Sequence, residues 1–124
     1  MPAIPSVMSL HLRYRLWIAE LNFDINVLRI FGDYQTELRN RKEGETKSKT
    51  DYFEKQFIAL RTENDELRHE MQLSKMKLGA HARDGRPLDY KQFSKENHIP
   101  IRRRLAAYKA GFKKIKMEFA LIGN

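Results

Sequence analysis

The stretch LHLRYRLWIAELNFDINVLRI, Leu10 to Ile30, decides the fold. Two of its segments, LHLRYRL and LNFDINV, alternate apolar with polar residues in the manner of a half-buried strand. No Asn-Gly or Pro-Gly pair stands between them to close a hairpin. A helix accounts for the same residues. At about 100° per residue, Leu10, Tyr14, Trp17, Leu21, Ile25 and Leu28 form one stripe. Leu12, Leu16, Phe23, Val27, Ile30 and Tyr34 form a second on nearly the opposite side. The alternation is then a by-product of two stripes. A helix apolar on two opposed faces needs two coverings, so it is expected to be the central element, wedged between neighbours drawn from this chain or from a second one.

Two breaker-rich clusters, NRKEGETKSK from Asn40 and GAHARDGRPLD from Gly79, divide the remainder. Three helices are expected, at about 9–41, 51–78 and 90–122. The fold class is all-α, an elongated three-helix bundle or coiled-coil hairpin. Residues 9–124 make a single helical domain, and residues 1–8, with two prolines, a flexible N-terminal arm. Thr50 or Asp51 is expected to cap the second helix, Gly79 to close it in the left-handed conformation, and Asp89 to cap the third. Gly32, inside the first helix, is read as a bend or a close helix approach, since a mid-helix Gly costs about 1 kcal/mol relative to Ala. Pro100 falls inside the third. If Asn97 caps a new helix there, Pro100 sits in the first turn, where its missing N–H matters little.

Composition supports this class. Of 124 residues, 41% are hydrophobic and 32% charged, which argues against wholesale disorder and for solvated helices. The absence of cysteine excludes disulfides, thiolate zinc sites and a thiol nucleophile; it fits a reducing compartment, and the cytoplasm is expected. The N-terminus lacks the basic start of a signal peptide, and no run of about 18 apolar residues predicts a membrane span. Net charge is +8, and its distribution says more than its size: residues 80–124 hold 11 Lys or Arg against 4 Asp or Glu.

The second helix carries a seam. Phe53, Phe57, Leu60, Asn64, Leu67, Met71, Ser74 and Leu78 follow in alternating steps of four and three. Such a seam serves either one strand of an antiparallel bundle within the chain or a parallel dimer. In the dimer Asn64 would fix register, and Glu63 and Glu70 would meet Arg68 and Lys75 of a second copy. The interface candidates are accordingly Phe57, Leu60, Asn64, Leu67, Met71 and Leu78. A basic-leucine-zipper reading fails, because RKEGETKSKT before the seam has a glycine, two glutamates and no groove-reading pattern.

On the third helix, Arg102, Lys109, Lys113 and Lys116 recur at helical steps as a basic ridge and are the candidate polyanion-binding residues. Lys91, Lys95 and His98 extend it only if the helix is continuous. Beside it runs the apolar stripe Ile101, Leu105, Tyr108, Phe112, Ile115 and Phe119. Aromatic residues are not interleaved with the ridge, so contact with nucleic acid would be to the backbone and non-specific in sequence. Aligning the stripe of this helix against the seam of the second opposes Arg102, Lys109 and Lys116 to Arg61, Arg68 and Lys75. Both helices are therefore expected to lean mainly on the first.

Enzyme chemistry is not legible. His69-Glu70 opens like the zinc motif H-E-x-x-H, but Leu73 stands where the second histidine belongs. His11, His69, His81 and His98 lack ligand spacing, and no cofactor or small-molecule substrate is indicated. Trp17 is expected in the core or as an interface anchor. The sequence thus points to a non-enzymatic helical interaction or assembly module, homodimeric through a coiled-coil seam. The alternative is a nucleic-acid-binding protein using the ridge. The expected partners are a second copy, another helical protein, or non-specific nucleic acid.

Overall fold

The computed structural model describes residues 6–41 and 45–122. It is an all-α bundle with no strand among the described residues. α1 (Val7–Arg41) and α2 (Glu45–Asp84) are long rods of 35 and 40 residues. The C-terminal arm comprises α3 (Tyr90–Phe93), a π-helical turn (Ser94–His98) and α4 (Ile99–Ala120). α1 and α2 run antiparallel, as Phe31 meets Phe57 and Asn22 meets Arg68. α4 runs parallel to α1, with Tyr14 near His98, Asp24 near Tyr108 and Phe31 near Phe119.

Local chemistry sets the boundaries. Ser6 opens α1, its Oγ accepting the Ser9 N–H at 3.0 Å. Val7 and Met8 are therefore helical instead of belonging to the arm, whose residues 1–5 lie outside the described residues. The second helix begins before Thr50 and Asp51. Thr50 is fully buried within α2, and its carbonyl accepts Gln35 Nε2 at 3.0 Å. Gly79 does not close α2. Gly85 does, with φ of +65°, the left-handed conformation that a residue without Cβ adopts freely. Asp89 caps α3 as expected, its Oδ1 accepting Gln92 N–H at 3.1 Å. Gly32 meets no neighbour within 4 Å, so it marks no close helix approach.

The turn before Pro100 is π-helical and not a fresh start capped by Asn97. The Ile99 N–H reaches back to the Ser94 carbonyl. Pro100 has no N–H to give the Glu96 carbonyl, so a widened turn accommodates the ring without a break in the helix. The extra residue has a side effect: His98 is carried inward to 1% exposure, out of the basic ridge and into the core.

The core follows the inner stripe of α1. Leu10, Tyr14, Leu21 and Leu28 are buried against the α2 seam and against Ile101, Leu105, Tyr108, Ile115 and Phe119 of α4. One end is closed by Phe31, Phe53, Phe57 and Phe119, with ring centroids 5.1–6.0 Å apart. In the middle, Asn64 Nδ2 donates to the Leu21 carbonyl and to Tyr108 Oη, both at 2.9 Å, and Arg68 Nε donates to Asn64 Oδ1 at 2.8 Å. Tyr108 Oη in turn donates to Asp24 at 3.0 Å. One buried polar layer thus ties all three rods.

α2 and α4 also pack directly on each other, contrary to the expectation that both lean mainly on α1. The charge conflict is avoided by rotation. Arg104 turns to α2 and pairs with Glu63 at 3.1 Å and Glu66 at 3.2 Å, while Lys109 turns to α1 and pairs with Glu20 at 3.2 Å. Gly111 lies where α2 and α4 come close; a Cβ there would meet Leu60 Cδ2 at 3.9 Å, ordinary van der Waals contact.

Two outcomes follow for urea unfolding at fixed protein concentration. Asn64→Ala is expected to destabilise the fold by about 2–4 kcal/mol, since it leaves a cavity and buried groups without partners. Gly111→Ala is expected to stabilise it by about 0.5–1 kcal/mol through helix propensity.

Candidate interaction surface

Phe57, Leu60, Asn64, Leu67, Met71 and Leu78 are all enclosed by their own chain, at 9% exposure or less. The α2 seam is therefore filled from within. Glu63 is engaged by Arg104, and Arg68 by Asn64, Asn22 and Asp65, so both charges already have partners within the chain.

What the bundle leaves open is the second stripe of α1. Leu12, Leu16, Phe23, Ile30 and Tyr34 are 54%, 57%, 66%, 59% and 42% exposed, and Val27 is half-buried. α2 and α4 cover only the inner side of α1. From Leu12 to Tyr34 the bare row is about 33 Å long.

Alongside it, α1 and α4 form a shallow groove. At one end it is lined by Trp17, Ile99, Leu105 and Ala106 with Arg102 and Arg103. Past Lys109, which borders both parts, it continues between Phe23 and Phe112, flanked by Lys113 and Lys116. The structure thus brings Arg102, Lys109, Lys113 and Lys116 together along one edge of this groove, all exposed. Glu20 and Asp24 stand on the α1 side. Burial raises the Asp24 carboxyl above its ordinary value, against the hydrogen bond from Tyr108, which lowers it. Burial likewise raises the Tyr108 phenol.

Trp17 is half-buried at the groove end, where it stacks on His98 with centroids 5.8 Å apart and planes 11° apart. His98 Nδ1 and Tyr14 Oη lie 2.9 Å apart and share a hydrogen bond. Sequence reasoning missed this cluster, because His98 falls on the core side only when a five-residue step from Phe93 is allowed. Pro100 was the signal. Burial, followed by repulsion from Arg13 and Arg102, holds the His98 imidazole below its ordinary value.

Among the described residues no group of three or more His, Asp or Glu side chains converges as a metal site would require, and no helix is long and apolar enough to cross a membrane. No protein-family model, curated protein or solved structure matches the chain.

His98 gives a pH dependence of known sign. The unfolded chain takes up a proton near the ordinary value of 6.5 while the folded chain resists, so this contribution to stability is full above that pH and lost as pH falls through it and below. The thermal midpoint should drop between about pH 7.5 and about pH 5.5, and His98→Gln should make that drop smaller. An equal drop in the variant would remove His98 as its source.

Proposed function

We propose that this chain is a non-enzymatic helical assembly module that pairs with a second copy of itself along the outer stripe of α1. The observation that carries the reading is the row Leu12, Leu16, Phe23, Ile30 and Tyr34, exposed on one face of a helix whose opposite face already fills the core. Monomeric proteins seldom leave so long an apolar strip uncovered. The chain exposes 8763 Å², against roughly 6,900 Å² for a compact monomer of its 14.7 kDa mass. Pairing two such stripes would remove on the order of 1,000 Å² from water, the lower edge of a specific interface.

Spacing and charge refine the arrangement. With Ala19 included, Leu12, Leu16, Ala19 and Phe23 follow in steps of four, three and four; Val27, Ile30 and Tyr34 repeat three and four. α2 and α4 flank the stripe on opposite sides, Asn22 meeting Arg68 on one and Glu20 meeting Lys109 on the other. An antiparallel pair would set one α4 ridge beside the other. A parallel pair sets each ridge beside the neighbour's α2 and keeps like charges apart, so parallel pairing is the favoured arrangement.

Sedimentation equilibrium across a dilution series tests the reading. The wild-type chain should dimerise, and Leu16→Glu combined with Ile30→Glu should give a monomer of unchanged helicity. In this cysteine-free chain, Leu16→Cys should form a disulfide-linked dimer on mild oxidation. A wild-type chain that stays monomeric at millimolar concentration would overturn the proposal. A dimer that fails to cross-link through Leu16→Cys would overturn its parallel orientation.

A further inference from the structure

The groove between α1 and α4 meets the paired row only at Phe23 and is otherwise not used by the pairing described above. We infer that it is a docking site for an acidic amphipathic helix of a partner protein. Its shape is the first reason. The groove is concave, with Ile99, Trp17 and Ala106 along its first part and Phe23 and Phe112 along its second, the Lys109–Glu20 pair standing between them. From Ile99 to Lys116 it spans about 25 Å, the length of roughly five helical turns. A helix lying in such a groove sends side chains at i, i+3 or i+4, and i+7 to the floor.

Charge gives the second reason. The α4 edge presents Arg102, Arg103, Lys109, Lys113 and Lys116, all exposed. Lys109 is shared with Glu20 at 3.2 Å. The facing edge of α1 offers Glu20 and Asp24, and Asp24 is held by Tyr108. The balance is strongly positive, and a helix with glutamates bordering its apolar face complements both the floor and the edge. A second copy of this chain does not, since its own α4 ridge has the same sign. A phosphate backbone would satisfy the edge but leave the apolar floor uncovered and meet Glu20 and Asp24. A bilayer surface would bridge over a recessed floor.

The experiment uses a fluorescein-labelled helical peptide of about 18 residues with Leu and Ala on one face and Glu on both borders of that face. Its control has Lys in place of each Glu, and a duplex DNA of about 20 base pairs is the third probe. Fluorescence anisotropy should show saturable binding of the Glu peptide, at least about tenfold tighter than the Lys peptide. Lys109→Glu, Lys113→Glu and Lys116→Glu together should weaken it at least about tenfold, with helicity by circular dichroism unchanged. Binding should persist in the Leu16→Glu, Ile30→Glu monomer, which separates this site from the dimer seam.

Four results would overturn the proposal. Absent or charge-blind peptide binding would show that the groove does not select acidic helices. Loss of binding in the Leu16→Glu, Ile30→Glu chain would place the peptide on the outer stripe instead. Duplex binding abolished by the three lysine reversals, with the Glu peptide silent, would assign the ridge to phosphates. Conversely, self-association abolished by those reversals and unaffected by Leu16→Glu would assign the groove to a second copy.

Discussion

Asn64 is the tie on which the arrangement of the three rods depends. Helices packed only through leucine and phenylalanine can slide by a turn or rotate with little penalty, because apolar contacts are not directional. The carboxamide of Asn64 removes that freedom, since it must reach the Leu21 carbonyl on α1 and the Tyr108 hydroxyl on α4 from one buried position. A slip of α2 by one turn would leave the Asn64 carboxamide buried without these partners, at about 1–3 kcal/mol. The net stabilisation from such a layer is small, but its effect on register is large.

Register then fixes where the charges fall. With Tyr108 level with Asn64, one turn earlier on α4 brings Arg104 between Glu63 and Glu66, and the next residue beyond Tyr108 brings Lys109 to Glu20. Arg102, Lys109, Lys113 and Lys116 are thereby directed away from Arg61, Arg68 and Lys75. The same rotation that resolves the like-charge conflict gathers the basic residues along the α1 groove. The ridge is a consequence of core geometry as much as of composition.

The three rods and their inner stripes were legible in the sequence because periodicity over many turns leaves little room for error. Leu10, Tyr14 and Leu21 are buried as read, and Asp89 caps where an acid before a helical run should. The misreadings share a cause: single local signals overruled by tertiary context. Gly79 looked like a stop, but α2 continues past it to Gly85, where φ is positive. Thr50 looked like a cap, but it is buried against Gln35 and its carbonyl is taken by that side chain. His98 looked like a member of the ridge until a π turn shifted its phase. What covers the α2 seam was not decidable from its heptads, because an internal helix and a second chain demand the same residues there.

Isolated exposed apolar side chains carry little meaning, since no protein has enough polar surface to hide them all. Ile58 on α2 is of that kind, and Leu73 with Met76 on α2 or Met117 with Leu121 near the end of α4 span only one turn each. Alignment sets the α1 row apart. Leu12, Leu16, Phe23, Ile30 and Tyr34 share one face, on a helix where Lys, Glu or Gln would satisfy the local preference at least as well and spare the chain an adhesive surface. Helix formation does not require them, and of the five Tyr34 alone makes a ring contact with the core, edge-on to Phe119 at 5.9 Å. The proposed pairing accounts for a row that neither local propensity nor the internal packing requires. On the inference drawn above, the groove beside it would select: apolar contact would supply adhesion to many helices, and the lysine edge would reject those that carry the wrong sign.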